Sequence, residues 1–106
     1  MTPTDINRRL ALAIGYGPED VWVCDDGNVL VWREIGDTHQ LHWQIFDYRH
    51  PGTIYPIAEK YGMFPESVWG SVSWVMFLKA GVPVKNICPR ACVALATIEA
   101  HDRGLI

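Results

Sequence analysis

The sequence predicts an α+β domain: a small antiparallel sheet of three to four strands packed with N- and C-terminal helices. Three observations carry this. The stretch from Val21 to Phe46, VWVCDDGNVLVWREIGDTHQLHWQIF, holds three apolar runs separated by two turn signals. Segments near both ends repeat apolar residues at helical spacing. The 106 residues suffice for one domain, 1–106, with one modest core, arranged as helices layered on a sheet.

The chain opens on a helix start. Thr2 can cap, Pro3 fits the first helical position and Asp5 the third. Ile6, Leu10, Ala13 and Ile14 form a stripe that ends at Gly15, Gly17 and Pro18, so the first helix covers about residues 3–14. A hairpin follows, with Asp26-Gly27-Asn28 between VWVC and VLVW. Tight hairpin turns need positive φ, which glycine takes freely and aspartate or asparagine at modest cost. Val29 and Val31 share one strand face and Leu30 and Trp32 the other. Both faces are apolar, so either both are covered or one is an interaction surface. Gly36-Asp37 marks a second turn before a third strand near residues 41–48, in which Leu41, Trp43 and Ile45 alternate with His42, Gln44 and Phe46.

Residues 53–61 form a short helix with Ile54, Ile57, Ala58 and Tyr61 on one side, Pro56 in its first turn and Gly62 as its stop. Residues 71–78 are rich in valine and aromatic side chains, which favours a fourth strand over a helix, after a short turn at 65–68. Residues 81–85 read as a loop around Pro83. Asn86 caps the last helix, whose stripe is Ile87, Ala91, Ala94, Leu95 and Ile98. The first and last helices are expected to cover the one sheet.

Composition narrows the function classes. The net charge is −3, and residues 19–37 hold six acidic side chains against one basic, Arg33. The other cations are scattered, whereas nucleic-acid binding calls for a concentrated basic face. No apolar run is long enough to cross a membrane, and the polar start at residues 2–9 is unlike a secretion signal. Three cysteines, Cys24, Cys88 and Cys92, are an odd number for a disulfide framework and fit a reducing cytoplasm.

Three stretches resemble one family. They are the opening helix from Asp5 to Gly15, the middle segment from Thr53 to Tyr61 with the Trp74-bearing strand after it, and the last helix from Ile87 to Leu95. Together they resemble small phage and prophage proteins that share an alpha-beta-alpha sandwich domain, over about half the chain and excluding the acidic hairpin. The resemblance implies a phage-type protein of a group without a settled activity. It carries over no catalytic residue. Proteins of this kind and size often bind a host or phage protein, which is an analogy at the level of the fold.

The chemical constellations are thin. His39 and His42 at strand spacing face opposite ways, and Cys88, Cys92 and His101 fall short of four grouped ligands, so no metal is expected. Cys24 with His42 or His50 could be written as a thiol–imidazole pair, but Asp25 and Asp26 beside it would weaken a thiolate. Asp25-Asp26-Gly27-Asn28 echoes only part of a calcium loop. There is no glycine-rich phosphate loop, and no cofactor is expected.

The expected function is therefore non-enzymatic. Trp22, Asp25, Asp26, Trp32, Glu34, Asp37 and Trp43 would form an acidic, tryptophan-bearing surface that binds another protein and modulates a host factor in the cytoplasm. The alternatives are a self-associating structural protein, with the hairpin face closing a homodimer, and a small metal-binding protein or enzyme.

Overall fold

A computed structural model describes residues 1–35, 40–70, 73–79 and 81–106 of the chain, and the backbone alone of residues 34, 35, 40 and 41. It is α+β, with helices near both ends and two antiparallel sheets of three strands each. Contacts divide the chain into two units, Met1–Asp47 and Tyr48–Ile106, with one sheet in each.

In the first unit, α1 (Pro3–Ala13) begins as expected. The Thr2 hydroxyl oxygen accepts the Asp5 N–H at 3.2 Å, and the Asp5 carboxylate accepts the Thr2 N–H at 3.1 Å. Its buried side is Ile6, Asn7, Leu10 and Ala11. Asn7 is tolerated there because its Nδ2 donates to Asp47 Oδ1 at 3.4 Å. A 3₁₀ turn, Pro18–Asp20, leads into β1 (Val21–Val23), β2 (Val29–Ile35) and β3 (Gln40–Ile45). β2 is the central strand. α1 packs on β1 and β2, where Val29 and Val31 are each 1% exposed. Tyr16 meets Phe46 edge-on, with ring centroids 6.1 Å apart.

The β1–β2 turn is a three-residue loop. Cys24 N–H donates to the Asn28 carbonyl at 2.8 Å and Gly27 N–H to the Cys24 carbonyl at 3.0 Å, with Gly27 at φ +89°. Thr4 Oγ1 donates to the Gly27 carbonyl at 2.7 Å, tying the turn to the start of α1.

The second unit starts at α2 (Pro51–Tyr61), two residues earlier than expected, because His50 Nδ1 accepts the Gly52 N–H at 3.2 Å and caps the helix. Pro56 consequently lies beyond the first turn, where it has no N–H to give the Gly52 carbonyl. Ile54, Ile57 and Ala58 are buried and Gly62 closes the helix, as expected. Then come β4 (Glu66–Ser67), β5 (Trp74–Phe77) and β6 (Pro83–Asn86), with β5 central. The β5 strand agrees with its residue types; β4 and β6 replace an expected turn and an expected loop. Their strand character comes from pairing with β5, the strand next to each in sequence, which these short polar segments do not announce by themselves.

The last helix, α3 (Pro89–Asp102), packs on β5, β6 and α2. Its N-cap is Cys88 rather than Asn86, which lies in β6 and accepts the Cys88 N–H on its Oδ1 at 3.0 Å. Ala91, Ala94 and Ile98 are buried as expected, together with Cys92, Val93, Ala96, Thr97 and Ala100, whereas Leu95 is half-buried and Ile87 falls outside the helix and is 74% exposed. The two terminal helices thus pack on different sheets, α1 on the first and α3 on the second. No helix among the described residues is long and apolar enough to cross a membrane.

A candidate protein-binding face on the first sheet

Strand register decides which side chains meet. Val21 pairs with Val31 and Val31 with Gln44; Val23 pairs with Val29. These residues share the face on which α1 lies. Trp22 pairs with Leu30 and Leu30 with Ile45, and one row further along Trp32 pairs with Trp43. Because side chains alternate, these five occupy the other face. It is a continuous apolar surface with no polar side chain among the five.

Much of it is open to solvent. Trp22 is 60% exposed, Ile45 64% and Trp43 42%, while Leu30 and Trp32 are half-buried among them. The Trp32 and Trp43 rings meet edge-on at 5.3 Å between centroids and 64° between planes, a favoured aromatic geometry that fixes both indoles.

Trp22, Trp32 and Trp43 are therefore brought together as the sequence suggests. Asp25 and Asp26 lie exposed in the hairpin turn at one end of the sheet. Asp26 also has structural work: its Oδ1 accepts the Asn28 N–H at 3.0 Å and its Oδ2 the Asn28 side-chain amide at 3.1 Å. Glu34 belongs to β2, though its side chain lies outside what the structure describes, and Asp37 lies outside the described residues, as does His39. Glu19 and Asp20 sit in the 3₁₀ turn that enters β1.

Leu30 and Ile45 belong to the face although sequence reasoning left them out. Alternation placed Leu30 beside Trp32 and Ile45 beside Trp43, which was the available signal. It did not say which face the helix would cover.

The other constellations separate. Arg33 pairs with His42, and alternation from Trp32 and Trp43 sets both on the α1 side of the sheet. Cys24 follows Trp22 on the opposite side near the turn, so Cys24 and His42 do not form a pair. All three cysteines are free. Cys92 is fully buried, with its Sγ 3.3 Å from the Val84 carbonyl and 3.9 Å from that of Trp74. Burial pushes its thiol up, and the neighbouring Cys88 pushes it further. No three His, Cys, Asp or Glu side chains among the described residues group closely enough to hold a metal.

The second unit carries a groove of about 590 Å³ between α2, the start of α3 and Trp74. Its walls include Ile54, Met63, Phe64 and Val93, with Glu59 and Arg90 at the sides. Arg90 Nη1 donates to the Arg49 carbonyl at 2.9 Å. Trp69, in the turn after β4, is 98% exposed and does not line the groove.

No family model, curated protein or solved structure matches this chain.

Proposed function

We propose that this chain is a non-enzymatic binding protein of phage or prophage type. It docks another protein, from the host or the phage, on the tryptophan face of its first sheet, in the host cytoplasm. The observation that carries the reading is the apolar face of Trp22, Leu30, Trp32, Trp43 and Ile45, three of whose members are more than 40% exposed. Exposed contiguous apolar surface is unfavourable unless a partner covers it, and tryptophan is enriched among the residues that dominate binding energy.

The test is affinity capture from a bacterial lysate with the tagged wild-type protein beside a Trp22→Ser/Trp43→Ser variant. A partner enriched by the wild type and lost by the folded variant supports the reading; equal enrichment by both removes the face from it. Asp25→Lys is a suitable companion variant. Asp26→Lys is not, because it removes the acceptor for two Asn28 hydrogen bonds.

Self-association is the alternative supported by the same observation, since an apolar face can close on a second copy. Sedimentation at high protein concentration separates the two: a monomer argues for a heterologous partner, and a dimer that the double variant abolishes argues for self-association.

A further inference from the structure

Charge is divided unevenly along the chain. Residues 1–47 hold eight acidic and three basic side chains, and residues 48–106 hold four and six. Within the first unit the cations are also sorted by side. Arg8 and Arg9 belong to α1, and Arg33 pairs with His42 on the α1 side of the sheet. Among the described side chains of this unit, the tryptophan face bears no cation. Acidic residues flank its first strand along the chain: Glu19 and Asp20 precede β1, with Asp20 two residues before Trp22, and Asp25 is exposed in the turn that follows. A second copy would bring this same acidic, cation-free surface to the contact, which works against a symmetric pairing.

We propose that the occupant of the tryptophan face is an arginine-bearing segment of another protein, its guanidinium planes laid on Trp22 and Trp43 and its charge met by Glu19, Asp20 and Asp25. This rests on the reading of the face as a docking surface and adds the chemistry of what docks. Arginine suits it better than lysine. Its flat, weakly hydrated cation stacks on an indole while its N–H groups remain free to donate to carboxylates. Apolar residues of the same segment cover Leu30 and Ile45.

The test uses the full chain and synthetic 12-residue peptides that share leucine at alternate positions and carry arginine, lysine, serine or glutamate between them. Binding is followed by calorimetry at low and high salt. The expected result is that the arginine peptide binds about tenfold more tightly than the serine peptide, the equivalent of one well-placed cation–π contact with its carboxylate. The lysine peptide falls between these two and the glutamate peptide binds least. Raising the salt narrows the gap. A Glu19→Gln/Asp20→Asn/Asp25→Asn variant loses the preference for arginine but keeps its affinity for the serine peptide.

Equal binding of the arginine and serine peptides by the wild-type protein overturns the proposal while leaving the docking surface intact. Binding of none of the peptides overturns it too, and capture with the Trp22→Ser/Trp43→Ser variant then judges the surface separately. A dimer that this double variant dissociates overturns both, because the face is then filled by a second copy. The peptide series needs only the wild-type chain, so misfolding of a variant does not blunt it.

Discussion

The two sheets share a plan and differ in what they turn outward. Each has three antiparallel strands with a central one, and each packs a helix, α1 on the first and α3 on the second. Each has a turn closed by the same two hydrogen bonds: Cys24 to Asn28 and Gly27 to Cys24 in the first, Leu78 to Val82 and Gly81 to Leu78 in the second. In the second sheet Val75 is flanked by Glu66 on one neighbour strand and Lys85 on the other, with the Phe77–Pro83 pair one row on. Both charged residues are exposed. In the first sheet the outward rows are Trp22–Leu30–Ile45 and Trp32–Trp43. The second sheet thus sets a solvated charge on either side of Val75, although Phe77 on the same face is 66% exposed. Among the described side chains, the outward rows of the first sheet hold no charged residue, and its exposed indoles and Ile45 leave apolar area to be buried by something else.

That contrast can be broken most directly by comparing the two faces of the first sheet. Leu10, fully buried on the α1 side, should lose about 2–5 kcal/mol of stability as Leu10→Ala, the range for emptying a packed core position. Trp22→Ser on the open face should change stability by only about 0.5 kcal/mol, as exposed substitutions do. Urea unfolding of both variants checks this. A Trp22→Ser cost as large as that of Leu10→Ala would mean that the face is covered in the native protein.

The shared turn sharpens the comparison at a smaller scale. Gly27 and Gly81 both have positive φ, +89° and +78°, so alanine should cost about 1–2 kcal/mol at either position. At Gly27 an added Cβ also meets Thr4 Oγ1 at 3.1 Å, whereas at Gly81 it meets nothing within 4 Å. Thermal unfolding should therefore place Gly27→Ala below Gly81→Ala. The reverse order would show that the α1 anchor yields without cost. Thr4→Ala removes that anchor hydrogen bond and should cost about 1 kcal/mol, with Thr4→Ser retaining most of it.

The smallest expected effect depends on pH. The Thr2 hydroxyl, and after it the Thr2 backbone N–H, holds the Asp5 carboxyl below the ordinary carboxylate value. A carboxyl lowered in the folded state adds stability that is complete above its unfolded value and is lost as pH falls through the folded one. The stability difference between wild type and Asp5→Asn should thus be present at neutral pH and shrink on acidification. A difference that stays constant across the acid range would show that the charge of Asp5 takes no part in the cap. The effect stays small because Asp5 is exposed.

Local chemistry was legible in the sequence wherever it was complete within a few residues. Thr2, Pro3 and Asp5 wrote the start of α1, Gly62 the end of α2, and Gly27 the first turn; the valine and aromatic content of β5 marked it as strand. The tryptophans of the candidate site were legible as candidates, but each lies on a different strand, and the register that puts them on one face came from the structure. Tertiary structure alone decided the rest. β4 and β6 are strands because β5 supplies their hydrogen-bond partners, so nothing within Glu66–Ser67 or Pro83–Asn86 could announce the second sheet. The choice of outward face likewise lay outside the strands themselves. Val29–Val31 and Leu30–Trp32 are both apolar, and hydrophobicity does not rank them. Packing does: α1 closes near enough on the valine side for Thr4 to reach the Gly27 carbonyl at 2.7 Å, and indole rings in that layer would hold the helix away. The tryptophans face outward because the small side chains are the ones that let the helix in.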